Sequence, residues 1–142
     1  MKIAVNIITT VVLVVATVMS GCSKEEYTDL YNSWRFIGFG ESGSRGIIPV
    51  EPVDCDYCYT ITFHKDGTFE GWSVRNKFSG KFEVSGNNIS ITYLSTTLVG
   101  EWGDAGRFHS NIRDFRKFYV EEYTLKMFYS DTTFFLFSPT SP

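Results

Sequence analysis

YTITFHKDGTFEGWSVRNKFSGKFEVSGNNISITY, residues 59–93, is a run of short alternating segments cut by Gly, Asp and Asn. In Tyr59-Thr60-Ile61-Thr62-Phe63 an apolar side chain falls on every second residue, the period of a strand with one buried face. Asp66-Gly67 accepts the positive φ of a tight hairpin turn, so residues 69–74 read as the returning strand. Phe78, Gly80, Phe82 and Val84 alternate again, and Ser85-Gly86-Asn87-Asn88 supplies another turn. After it, Ile89, Ile91 and Tyr93 fall on one face. At least three consecutive antiparallel strands are expected from this stretch.

Composition agrees with sheet. The 142 residues include 13 Phe, 8 Tyr and 3 Trp, flat side chains that pack best across the neighbouring strands of a pleated surface. A chain of this length forms one domain by default and buries a core without needing disulfides. The net charge is −3, which removes the electrostatic case for a nucleic-acid partner.

Met1-Lys2 is a short positive start, and residues 3–18 are apolar apart from Asn6, Thr9, Thr10 and Thr17. That is the length of a secretory core and falls short of the roughly 20 residues of a membrane span. Met19-Ser20-Gly21-Cys22 resembles the lipobox of bacterial lipoproteins, with Met where Leu is commonest. The resemblance implies that residues 1–21 are a signal peptide, that the Cys22 thiol carries a diacylglycerol with palmitate as a typical acyl chain, and that residues 22–31 form a tether. An ordinary secretory signal with an incidental Cys is the alternative. One acyl chain holds a protein marginally, whereas several make release slow. Cleavage would remove Lys2 and leave 12 basic against 16 acidic side chains, a net of −4. Ser23-Lys24-Glu25-Glu26 is similar to the export tag of surface lipoproteins in the Bacteroidetes, although any solvated tether has this composition. The implied location is the outer membrane, on its periplasmic face or at the cell surface.

The domain is expected over residues 32–142. In residues 32–39, NSWRFIGF, Trp34, Phe36 or Ile37, and Phe39 alternate imperfectly as a first strand, with Trp34 as a core plug. Residues 41–46, ESGSRG, have the composition of a loop, and Ile47-Ile48-Pro49-Val50-Glu51-Pro52 continues without regular hydrogen bonding because each proline removes a donor. Trp102, flanked by glycines in the loop 94–104, is expected to fold back over the core more readily than to stand exposed. Asp104 suits a helix cap, and Phe108, Ile112 and Phe115 recur at helical spacing, so one amphipathic helix is expected over 105–118. Residues 123–128 and 133–137 then form a closing hairpin across Ser130-Asp131-Thr132. Phe134-Phe135-Leu136-Phe137 is apolar on both faces, as in a covered strand.

This order of elements resembles the META domain of heat-inducible bacterial envelope lipoproteins. The matching residues are Tyr59, Ile61, Phe63, Asp66, Gly67, Phe69, Gly71, Asn76, Phe78, Ser79, Gly80, Phe82, Ile89 and Ile91. The match covers most of 32–137 and is strongest over 59–92. Many members of that family carry a Cys before the Asn and a second after "I-x-I"; here Arg75 and the Thr97-Leu98-Val99 neighbourhood stand there, so that cross-link is absent. The resemblance implies a mainly β (α+β) fold: a curved antiparallel sheet or partly open barrel of about seven to eight strands with one packed amphipathic helix. A lipocalin-like barrel has the same strand grammar. The family implies no settled chemistry.

Four further constellations bear on function. Cys55-Asp56-Tyr57-Cys58 is followed by a strand, so the helix N-terminus that lowers thiol pKa in redox CxxC motifs is missing. A structural disulfide is favoured over free thiols, provided the four residues turn, since an extended chain would part the Cα atoms by about 10 Å against a limit of roughly 7 Å. His64, after the two Cys, makes a weak metal set, so no metal and no cofactor is expected. His64 and His109 both read as solvated, and no nucleophile elbow occurs, so no catalytic residue is assigned. Asp131-Thr132-Thr133 resembles the O-glycosylation acceptor of Bacteroidetes exported proteins, which makes Thr132 the acceptor.

Three functional readings follow. The first is a non-catalytic envelope lipoprotein, held to the membrane by its lipid, that meets another envelope protein through exposed aromatics around Trp72 and Trp102. The second is a binder of a small apolar ligand between sheet and helix. The third, an enzyme, requires His64 or His109 beside an acid or nucleophile in a cleft.

Overall fold

The structure is a computed structural model and describes residues 29–52 and 54–140. Cys22, the expected signal peptide and most of the expected tether lie outside the described residues. Among the described residues nine strands form: β1 (Ser33–Glu41), β2 (Ile48–Pro49), β3 (Thr60–Phe63), β4 (Thr68–Trp72), β5 (Lys77–Ser85), β6 (Asn88–Thr96), β7 (Lys117–Glu121), β8 (Thr124–Phe128) and β9 (Thr133–Pro139). The α-helix described there, α1 (Ala105–Asn111), runs into a 3-10 turn at Ile112–Asp114. All pairings are antiparallel, in the order β2-β1-β3-β4-β5-β6-β7-β8-β9, and β9 also pairs with β1 from Trp34↔Pro139 to Glu41↔Thr133. The sheet therefore curves into a ring: the expected curved antiparallel sheet is present, with nine strands where about seven to eight were expected.

The two turns of residues 59–93 form where Gly allows them. Gly67 has φ 84° and Gly86 has φ 58°. Asp66 Oδ1 accepts hydrogen bonds from Thr68 N at 2.9 Å and Thr68 Oγ1 at 2.6 Å, which hold its carboxyl below the ordinary carboxylate value.

Curvature comes from glycine set opposite phenylalanine. Phe69 pairs with Gly80, and Gly71 with Phe78, so each inward ring lies over a glycine on the next strand. A Cβ on Gly71 would sit 2.5 Å from the Phe78 ring and 2.1 Å from Thr60 O. One on Gly80 would meet the Phe69 ring at 2.5 Å and Tyr93 O at 2.1 Å. Strands without that Cβ approach closely enough to bend around the aromatic core.

Bulges explain where strict alternation fails. On β1 the register with β9 shifts between Phe36 and Gly38, so Ile37 is the extra residue, half-exposed, while Trp34, Phe36 and Phe39 are buried. On β6 the register passes from Lys81↔Tyr93 to Phe82↔Ile91 and leaves Thr92 unpaired. This overturns the expectation that Tyr93 shares a face with Ile89 and Ile91: the extra residue turns Tyr93 outward to 57% exposure.

The helix is shorter than the expected 105–118. From Arg116 the chain is drawn into the sheet: Arg116 N donates to Phe128 O at 2.9 Å, and Lys117 pairs with Phe128. Asp104 does not cap the helix with its side chain; its Oδ2 accepts from Glu51 N at 2.9 Å, and its own N–H donates to Glu51 O at 2.8 Å. Ile48 and Pro49, expected to lack regular bonds, pair with Phe39 and Gly38 as a two-residue edge strand, a place where proline is tolerated.

Phe108, Ile112 and Phe115 are buried as expected and close the ring from within. The Phe108 ring lies 5.1 Å from Phe36, 5.6 Å from Tyr59, 5.9 Å from Phe78, 5.7 Å from Phe135 and 6.2 Å from Phe137. Trp34 is fully buried, with Nε1 donating to Leu30 O at 2.9 Å, the partner a buried indole needs.

Candidate functional site

Chemistry-bearing side chains and exposed apolar ones meet on the rim where β4 turns into β5. Ser73 and Asn76, the two buried polar residues of the described chain, sit in that turn. Asn76 uses its whole amide: Oδ1 accepts from Val99 N at 2.7 Å and Thr97 Oγ1 at 2.9 Å, while Nδ2 donates to Val99 O at 2.7 Å and Glu101 Oε1 at 2.6 Å. Ser73 Oγ donates to Glu101 Oε1, and Arg75 N donates to Glu101 Oε2 at 3.2 Å. Partial burial works against the Glu101 charge, but the bonds from Ser73, Asn76 and Arg75 outweigh it and hold the carboxyl below its ordinary value. The loop after β6 is thus latched onto the β4–β5 turn.

What the latch displays is apolar. Leu98 is 93% exposed and Trp102 is 56% exposed. This overturns the preference for Trp102 folded over the core: the loop held by Glu101 leaves the indole outside the buried cluster. Trp72, at the end of β4, is 40% exposed and holds Tyr57 edge-on at 6.2 Å between ring centroids. Sequence singled out Trp72 and Trp102 as surface contacts but gave no role to Asn76, Glu101 or Leu98.

Cys55 and Cys58 form a disulfide with Cα atoms 5.3 Å apart, so the four residues do turn. Arg35 fastens that turn, donating to Cys55 O at 2.7 Å and to Asp56 O. Next to it Tyr59, in the left-handed region at φ 60°, donates its hydroxyl to Glu51 O. Its burial, with Asp104 nearby, pushes the phenol well above its ordinary value.

The two histidines differ. His64 is 43% exposed on its side chain and pairs with Glu70 at 3.6 Å in an open groove of about 370 Å³ that Thr68, Ser79, Lys81 and Tyr93 also line. An acid does stand beside this histidine. Thr68 Oγ1 is committed to Asp66, and among the described residues no hydroxyl donates to His64, so the nucleophile–base bond that hydroxyl attack needs is missing. His109, expected to be solvated, is half-buried beside the Phe78 ring, and its Nε2 is enclosed without a hydrogen-bond partner. The 3-10 turn that ends the short helix lies against β6, and with so little helix His109 rests on the sheet.

Thr132 is exposed in the β8–β9 turn. Among the described residues, no three His, Cys, Asp or Glu side chains gather as a metal site, and no helix is long and apolar enough to cross a membrane. The space between sheet and helix is filled by Phe36, Phe78, Phe108, Phe135 and Phe137, which counts against an apolar ligand held there.

No protein-family model and no curated protein matches this chain. Among solved structures, a DUF4847 family protein from Bacteroides vulgatus is similar to it at 15% identity and a TM-score of 0.59, with 79% of this chain and 94% of that one covered. A protein from Burkholderia xenovorans is similar at 14% identity and a TM-score of 0.63, covering 79% and 83%. At these identities the likeness is one of fold: the curved antiparallel sheet with its short helix is shared.

Proposed function

We propose that the chain is a lipid-anchored protein of the bacterial cell envelope whose non-catalytic domain, of the META type in its motifs, offers the latched rim to a second envelope protein. The observation that carries the contact role is Leu98 and Trp102, held out in water by bonds from buried Ser73 and Asn76 to Glu101 and Val99. Leaving such side chains hydrated forgoes about 1.5–3 kcal/mol each relative to full burial. A loop fixed in that arrangement suits an interface, where rigid aromatic anchors carry most of the binding energy. The anchor rests on Met19-Ser20-Gly21-Cys22, and the CxxC disulfide is compatible with an oxidising compartment.

The test has two arms. In cells fed an alkyne analogue of palmitate, the wild-type chain should take up label and lose residues 1–21, and Cys22→Ala should take up none. The intact lipidated protein, solubilised from membranes, should carry one stoichiometric envelope protein that the Leu98→Asp, Trp102→Ala variant loses. An unlabelled mature chain that keeps its first residues would overturn the anchor. Equal recovery of the partner by the rim variant would overturn the contact surface.

A further inference from the structure

A cavity of about 260 Å³ lies where the end of β1, the loop after it, α1 and the start of β9 meet, and it shares no residue with the Trp72–Trp102 rim. Its apolar wall is Phe39, Ile47 and Ile48, the last two 40% and 66% exposed. Its charged residues are Arg107 and Glu41.

Arg107 is exposed and held in place, yet among the described residues no carboxylate pairs with its charge. The guanidinium carbon lies 3.7 Å from the centroid of the Phe39 ring, and one Nη donates to Tyr129 Oη at 3.1 Å. Stacking and that one bond fix the planar group in advance. Among the described residues no carboxylate ion-pairs with it and no further protein acceptor takes its remaining donors, in a chain with 16 acidic residues. Three other arginines use theirs on protein: Arg35 on Cys55 O and Asp56 O, Arg75 on Gly100 O, and Arg116 on Asp131. A pre-set fork of N–H donors at the mouth of an apolar-walled cavity matches a carboxylate attached to an apolar body.

We propose that this cavity binds a small organic monocarboxylate, its carboxylate in the Arg107 fork and its apolar portion against Ile47 and Ile48. Ser44, whose Oγ accepts from Gly46 N at 3.3 Å, keeps its own proton to donate to the same anion. Glu41 borders the site and sets the charge limit, because its carboxylate repels a ligand carrying a second negative charge. The volume lies just below the range of about 300–1,000 Å³ for drug-sized ligands, so the ligand has on the order of ten heavy atoms.

The probe is hexanoate, titrated into the purified chain in aqueous buffer and followed by the methyl NMR signals of Ile47 and Ile48, with 1-hexanol as the uncharged control. Saturable shifts are expected with a dissociation constant on the order of a millimolar, as suits so small a ligand. Hexanol at equal concentration should leave them in place. Arg107→Gln should weaken hexanoate about tenfold or more, while Glu41→Gln should strengthen it a few-fold. Arg107→Lys keeps the charge without the fork and should fall between, which separates recognition from a folding defect. No saturable shift with hexanoate, an equal response to hexanol, or unchanged affinity in Arg107→Gln would each overturn the site. Because none of these readouts involves Leu98, Trp102 or Cys22, failure here leaves the envelope reading standing.

Discussion

Between β4 and β5 the ladder runs unbroken through five residue pairs, from Thr68↔Lys81 to Trp72↔Lys77, whereas between β6 and β7 it consists of the single pair Asn88↔Lys117. The first region holds by backbone bonds and by rings lying over glycines. The second holds because the 3-10 turn that follows α1 lies against β6, while α1 and that turn carry Phe108 and Ile112 into the core. A closed antiparallel sheet needs every edge paired or covered, and this ring does each in a different place. The covered seam is the one whose stability depends on side-chain packing, since a helix of seven residues is far too short to persist by itself.

The largest test breaks the seam. Phe108→Ala removes a fully buried ring packed against Phe36, Tyr59, Phe78, Phe135 and Phe137, and should cost about 3–5 kcal/mol in urea unfolding. Amide exchange should quicken first in α1 and residues 90–96, with β4 and β5 the slowest. Uniform loss of protection would mean that the seam is no weaker than the ladder.

Next comes the ladder itself. Gly80→Ala places a methyl 2.1 Å from Tyr93 O and 2.5 Å from the Phe69 ring, so backbone must move. About 1–3 kcal/mol of destabilisation is expected, read by the same unfolding measurement. A neutral result would show that close approach is not what bends the sheet there.

The latch that joins the two regions comes third. Glu101 has a folded pKa below its ordinary value of 4.5, so its stabilisation is present above that value and is lost as pH falls through the folded pKa. Glu101→Gln should cost about 1–2 kcal/mol at neutral pH, with Ser73 and Asn76 losing a charged acceptor, and should flatten stability against pH below 4.5. An unaltered acid limb in the variant would assign the pH dependence to other carboxylates.

What could be read from sequence follows the same division. The β4–β5 ladder was legible because its determinants are local: alternation, Asp66-Gly67, and the Phe and Gly positions all lie within a few residues of one another. The seam was not. Phe108, Ile112 and Phe115 announced a helix, but its early end at Asn111 is imposed by Arg116 and Lys117 pairing with Phe128, a contact that no helical period records. β7 was lost to the expected helix for that reason, and β2 to its proline. The bulges at Ile37 and Thr92 each add one residue to a strand, and only the partner strand shows which residue is extra. The rim was half legible: Trp72 and Trp102 stood out by type, whereas Asn76 and Glu101 matter through partners at least 21 residues away.

The smallest effect sharpens the contrast most, because the same chemical change should have opposite signs in the two regions. Gly106 lies inside α1, and a Cβ built on it meets nothing within 4 Å. Its φ lies outside the left-handed region, so alanine fits the backbone as it stands. Gly106→Ala should then stabilise the protein by about 0.5–1 kcal/mol, through helix propensity and a less disordered unfolded chain. It should also slow amide exchange in α1 without touching β4 and β5, whereas Gly80→Ala does the reverse. If both glycines respond alike to alanine, in either direction, then the seam is not limited by the short helix, and the division between a bonded ladder and a packed seam is lost.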